Sequence, residues 1–132
     1  MRGVGGVGGV CLMAEPNPEE LVLLGIKSYE KQDFSKARKY FEKACGLNNG
    51  GGCSGLGFLY GSGKGVEKDL TKAAYFYSKA CELKEGDGCG ALGALYYNGD
   101  GVKQDSKKAV ALFEKACKLG YKKACEMLKE LR

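Results

Sequence analysis

Apolar residues recur along this chain at the three-and-four spacing of a helix. From Asp69 to Leu83, the residues Ala73, Phe76, Tyr77 and Ala80 stand at i, i+3, i+4 and i+7. That spacing lines them up on one face of an α-helix, with Lys72 and Lys79 on the other. Lys107, Lys108 and Lys115 take the same polar side one unit later. Asp69 and Asp105 stand where a helix N-cap belongs, and Asp33 or Ser35 serves in the first unit. Before each such helix runs a shorter apolar segment rich in small residues, Cys53 to Tyr60 and Cys89 to Tyr96. Gly57 and Gly93 inside these segments cost roughly 1 kcal/mol each in a helix, and close helix–helix approach is the expected return. Gly61, Gly63 and Gly65 then break the chain before the next helix.

The pattern repeats every 36 residues. Leu56-Gly57 returns as Leu92-Gly93, Tyr60 as Tyr96, Gly65-Val66 as Gly101-Val102, and Asp69 as Asp105. Ala37, Ala73 and Ala109 share a register, as do Phe41, Tyr77 and Phe113, and then Ala44, Ala80 and Ala116. A period of this length means stacked two-helix units rather than one closed globule. The repeats are placed at about 18–52, 53–88 and 89–124, with a capping helix over 121–132 closing the stack.

Six of the seven cysteines lie on the same grid. Cys45 and Cys53, Cys81 and Cys89, and Cys117 and Cys125 are each eight apart, and each pair follows the last by 36 residues. The first of a pair ends one unit and the second begins the next, across seven loop residues. A disulfide there clamps successive repeats, worth about 2.5 kcal/mol for so short a loop. Three supply roughly 7 kcal/mol, comparable to the whole stability of a small domain. Metal-bound thiolates and free core thiols are the alternative readings. Against metal stand the absence of histidine and of any Cys-x-x-Cys in the sequence. Disulfides imply an oxidising compartment, and so a secreted or periplasmic protein.

The pattern Leu-Gly-x-x-Tyr, Gly-x-Gly-Val, Asp, then Ala-x-x-x-Phe/Tyr-x-x-Ala resembles the Sel-like repeat, a relative of the tetratricopeptide repeat. Ala-Cys followed eight residues later by Cys resembles the Helicobacter cysteine-rich proteins. The likeness runs from about Pro18 to Arg132. It implies an all-α, right-handed superhelical solenoid of helix-turn-helix repeats. The first unit departs from it. From Leu24-Gly25 to Cys45 the distance is 21 residues, against 25 for Leu56 to Cys81. Four residues are missing from its inter-helix turn, and Ser28 stands where the other units have Tyr60 and Tyr96.

By tetratricopeptide analogy, the first helices line a concave groove. The groove-facing positions are then Val22, Ile26, Tyr29 and Glu30 in the first unit; Ser54, Phe58, Gly61 and Ser62 in the second; and Ala94, Tyr97 and Asn98 in the third. Exposed Ile26, Phe58 and Tyr97 would be anchors for a protein, a peptide or a peptidoglycan-like fragment. The competing reading makes Ile26 and Phe58 ordinary core residues. No lysine or arginine occupies these positions, so the carboxylate clamp of chaperone-type tetratricopeptide domains is missing.

Residues 1–14 read as a degenerate or truncated signal peptide, with a poor apolar stretch and Leu12-Met13-Ala14 at its end. The odd cysteine, Cys11, lies inside it, and no stretch is long enough to span a bilayer. Net charge is +5, carried by 18 lysines but only three arginines. Without aromatic–basic interleaving, this reads as a solvated outer face rather than a nucleic-acid surface. The lack of histidine removes Ser-His and Cys-His machinery, and no metal or cofactor is called for.

The family likeness also implies penicillin binding and slow β-lactam hydrolysis, which makes β-lactams candidate ligands. The residues give that little support. Ser28-Tyr-Glu-Lys31 fits the Ser-x-x-Lys element of serine β-lactamases. Such a match is expected roughly once by chance in this composition, and its partner motifs are absent. No catalytic residue is assigned.

Overall fold

The computed structural model describes residues 16–131. The segment read as a signal peptide, with Cys11, and Arg132 lie outside the described residues. Among those described there are seven α-helices and no strand: α1 Pro18–Glu30, α2 Phe34–Gly46, α3 Gly50–Ser62, α4 Leu70–Glu82, α5 Gly86–Asn98, α6 Ser106–Lys118 and α7 Lys122–Leu131. Each helix packs on the next in sequence, and the first helices α1, α3 and α5 also touch one another in order. This is a solenoid of helical hairpins with α7 laid over its end.

Local chemistry sets the helix boundaries. Asp69 and Asp105 accept from the backbone N–H groups of Lys72 and Lys108, both at 3.0 Å. In the first unit the cap is Asp33, which accepts from Lys36 N at 3.2 Å, while Ser35 lies within α2. Asn17 and Glu20 form a reciprocal capping box at the start of α1, with Pro18 in its first turn.

The junction between units is shorter than the sequence implied. Helix α3 begins at Gly50 and α5 at Gly86, three residues before the expected starts at Cys53 and Cys89. A left-handed residue, Asn48 or Lys84, ends each preceding helix. Asn48 N bonds Cys45 O at 2.9 Å and Asn49 N bonds Ala44 O at 3.0 Å, a Schellman closure. Asn49 then caps α3 at once, accepting from Gly52 N. One residue thus closes one helix and opens the next, so no seven-residue loop exists. The reversal brings Cys45 and Cys53 to a Cα separation of 4.6 Å, Cys81 and Cys89 to 4.5 Å, and Cys117 and Cys125 to 4.9 Å, and all three pairs are disulfides. For these six cysteines, the thiolate–metal and free-thiol readings fall.

The core is a ladder of small and aromatic residues in register. Ala37, Ala73 and Ala109, with Ala44, Ala80 and Ala116, are fully buried. Phe41 sits under Gly25 of α1 and Gly55 of α3, where an added Cβ would come within 2.6 Å and 2.8 Å of its ring. Tyr77 lies against Gly57 and Phe113 against Gly93 in the same way, at 2.8 Å each. Gly25 and Gly55 admit the Phe41 ring between two first helices, and Gly57 and Gly93 let Tyr77 and Phe113 approach as closely.

The Gly-x-Gly-Val turn has its own contact. Gly65, at φ +74°, presses against the backbone of Phe34 at the start of α2, and Gly101 meets Leu70 at the start of α4. Each turn therefore grips the second helix of the preceding unit. The first unit has a three-residue turn, residues 31–33, in place of the seven residues 63–69. Among the described residues no earlier unit exists for a longer turn to grip.

Candidate functional site

The first helices present one face of the solenoid, and a cavity of about 420 Å³ opens on it. Val22, Ile26 and Tyr29 of α1 form one wall, and Phe58 of α3 the facing one. Tyr29 and Phe58 meet edge to face with ring centroids 5.6 Å apart. Phe41 forms the floor beneath Gly55, and Gly51 and Ala91 leave the space open. Ile26 is 42% exposed and Phe58 45% exposed, so neither is a core residue. Large apolar side chains left in water around a concavity are the form that binding sites take.

The other end of the cavity is polar. Ser54 of α3, itself buried, donates to Asp87 of α5 at 2.9 Å. Tyr77 and Tyr121 complete this end. Burial, then the Asp87 charge and Tyr121, push the Tyr77 phenol up to about 12, so it remains a protonated donor. Glu85, at the N-cap position of α5 but making no capping bond, lies beside Gly50. Its carboxyl is raised above the usual value, first by burial and then by Asp87. Asp87, with Glu85 nearby, makes this end of the cavity acidic. No lysine or arginine lines the cavity, and among the described residues no cation pairs with Asp87. At the opposite end Lys64 reaches the Tyr29 hydroxyl at 3.2 Å and sits over the Tyr29 and Phe34 rings.

Of the groove positions read from the sequence, Val22, Ile26, Tyr29, Ser54 and Phe58 come together around this cavity. Ser62, Ala94, Tyr97 and Asn98 do not line it. Ser62 is exposed and returns its hydroxyl to Phe58 O at 2.7 Å. Tyr97 is 40% exposed, but ten residues beyond Asp87 along α5, about 15 Å away along the axis. Ala94 is half-buried and Asn98 exposed on the same stretch. Gly61 and Glu30 also fall outside.

The sequence reading missed Asp87, Tyr77 and Tyr121. Asp87 was assigned to a loop because α5 was started too late. The signal for Tyr77 was its hydroxyl, a polar group in a register otherwise held by Phe41 and Phe113.

Ser28 is buried at 7% exposure and gives its hydroxyl proton to Leu24 O at 2.9 Å within its own helix. It lies in α1 but does not line the cavity. Lys31 caps the end of that helix through its backbone, and the two do not form a nucleophile–base pair. Among the described residues no helix is long and apolar enough to cross a membrane, and no cluster of three or more His, Cys, Asp and Glu residues could hold a metal ion.

Comparison with known proteins follows the same register. The Sel1 repeat matches three times, at residues 21–49, 52–85 and 86–121. HcpC of Helicobacter pylori, which bears a provisional β-lactamase name, is 58% identical over 65 residues, covering 47% of this chain and 22% of that protein. This chain thus matches under a quarter of HcpC's length. Among solved structures, Helicobacter pylori cysteine-rich protein B is 41% identical with a TM-score of 0.68, covering 84% of this chain and 94% of its own. A protective antigen of uropathogenic Escherichia coli is 28% identical with a TM-score of 0.77, over 85% of this chain and 25% of that one.

Proposed function

The chain belongs to the Sel1 repeat family, and from that premise we propose that it is an exported binding scaffold. Its concave cavity receives a protein segment, a peptide or a cell-wall fragment. The observation that carries this reading is the pair Ile26 and Phe58, large apolar side chains held in water on facing helices around one concavity. Three disulfides support export, because such bonds persist in oxidising compartments.

The test is a titration of oxidised, isotope-labelled protein with short peptides and soluble muropeptides, followed through backbone amide resonances. Shifts centred on Ile26 and Phe58, weakened by Phe58→Ala, support the reading. A ligand that shifts only the lysine-rich outer helices, with affinity untouched by Phe58→Ala, refutes it.

A second reading, penicillin binding with slow β-lactam hydrolysis, rests on the name of HcpC and on the family likeness. The cavity fits it poorly. A β-lactam carries a carboxylate, and this site offers Asp87 and no cation. Ser28 has its proton engaged by Leu24 O. Incubation with penicillin, following turnover and intact mass together, decides. Turnover with a transient acyl adduct, both lost in Ser28→Ala, would establish the enzyme reading, and no turnover and no adduct would remove it.

A further inference from the structure

Resting on the groove reading above, we propose that the cavity selects an extended peptide with an apolar side chain and a lysine two residues apart, the lysine ammonium seated at Asp87. Charge complementarity carries the argument. The chain has 18 lysines, yet none lines the cavity, whose polar end holds the carboxylate of Asp87 with Glu85 close by. Asp87 is solvent-exposed and, among the described residues, accepts a bond from Ser54 on one oxygen. Its second oxygen is free for a ligand donor. Asp87 stands in the first turn of α5, where the helix dipole complements a negative charge. Tyr77 and Tyr121 line the same end of the cavity.

The spacing follows from α3. Ser54 holds Asp87, and Phe58 stands one helical turn further on, about 6 Å along the axis. In an extended peptide, alternate side chains point the same way at about 7 Å. An apolar residue over Phe58 and Tyr29 therefore puts the side chain two positions away at Asp87. Lys64 at the Tyr29 end sets the direction, because a ligand cation placed there would meet a like charge.

The probe is acetyl-Ala-Leu-Ala-Lys-Ala-amide. Its partners are the same peptide with norleucine for lysine, and a peptide with leucine and lysine adjacent. Each is titrated into oxidised, isotope-labelled full chain and followed at the amides of Ser54, Phe58 and Asp87. The lysine peptide is expected to bind roughly two- to fivefold tighter than either partner, the upper part of the span of an exposed charge pair. That preference should shrink with added salt and disappear in Asp87→Asn, whereas Phe58→Ala should weaken lysine and norleucine peptides alike. Equal affinities in the unaltered chain, with shifts still centred on Phe58, would overturn the lysine inference and leave the groove reading standing. Shifts absent from Phe58 with every peptide at millimolar concentration would overturn the lysine inference and the peptide form of the groove reading together.

Discussion

Replacing Gly57 by alanine sets two known effects against each other. Alanine favours the helix over glycine by about 1 kcal/mol. At Gly57, though, the new Cβ would stand 2.8 Å from two atoms of the Tyr77 ring. Real carbon–carbon contacts do not come so close, so the ring, or α3 itself, has to move. Overpacking of this kind costs about 1–3 kcal/mol, and the balance is a net loss of about 1 kcal/mol. Gly61 supplies the control on the same helix. Its Cβ would meet only Ala73 Cβ, at an ordinary 3.6 Å. Gly61→Ala is therefore expected to stabilise, by about 0.5 kcal/mol because the site lies in the last turn.

The assay is urea denaturation of the oxidised proteins, monitored by helical circular dichroism, with the slope checked for constancy. The two variants should fall on opposite sides of the unaltered chain, about 1.5 kcal/mol apart. Tyr77 also borders the cavity, so Gly57→Ala should alter ligand affinity as well, while Gly61→Ala should not. A neutral or stabilising Gly57→Ala would refute the reasoning, because the ring would then have yielded at no cost. The glycine register of the first helices would need another explanation.

Three further outcomes are expected. Cys81→Ala/Cys89→Ala should lower stability by about 2.5 kcal/mol in the same urea assay, the closure entropy of a short loop; a loss below about 1 kcal/mol would count against the clamp. Under graded reduction and alkylation mapped by mass, Cys117–Cys125 should open first. Both its residues are only half-buried, whereas Cys53 and Cys89 are at 0% exposure, and earlier opening of either inner pair contradicts this. Asp87→Asn should lower the Glu85 titration midpoint without restoring the ordinary value, because burial is the larger cause. A raised carboxyl pKa means that ionised Glu85 disfavours the fold above that pKa, and the penalty fades as pH falls through it. In Asp87→Asn the part of that penalty due to Asp87 should be gone at neutral pH, while in acid, where Glu85 is protonated, this term should make no difference; carboxyl carbon shifts of Glu85 and the pH dependence of denaturation read both.

The repeat, its caps and its disulfides were legible because each rests on short-range chemistry. Asp69 and Asp105 need only the N–H groups three residues on, and cysteines eight apart need only one tight reversal. The cavity was legible by half. Val22, Ile26 and Phe58 follow from helical phase within one unit. Asp87 and Tyr121 enter through packing between units, which no single unit's pattern encodes. The error at α5 was a matter of three residues: with Cys89 taken as the helix start, Asp87 read as loop, whereas the Schellman closure at Lys84 and Glu85 starts the helix at Gly86. Tyr97 failed for another reason: it shares the repeat register of Tyr29, but it stands ten residues beyond Asp87 along the axis of α5.

Two seams join each pair of units. A disulfide clamps the junction between one unit's second helix and the next unit's first, as in Cys45–Cys53. The glycine turn holds the far end of the hairpin, with Gly65 on Phe34 and Gly101 on Leu70. Fixing both ends leaves little freedom for one unit to rotate on the next, and so fixes the curvature on which α1, α3 and α5 meet. A cavity built across three units, with Val22 from the first, Phe58 from the second and Asp87 from the third, depends on that curvature. Held this way the cavity is preformed, so a ligand of the proposed kind need not supply the ordering of loops or domains that weakens flexible sites. The Gly-rich helices α3 and α5, poor helix formers by themselves, are consistent with the same account. They gain close approach of backbone and ring, and the disulfides offset what they lose in intrinsic stability.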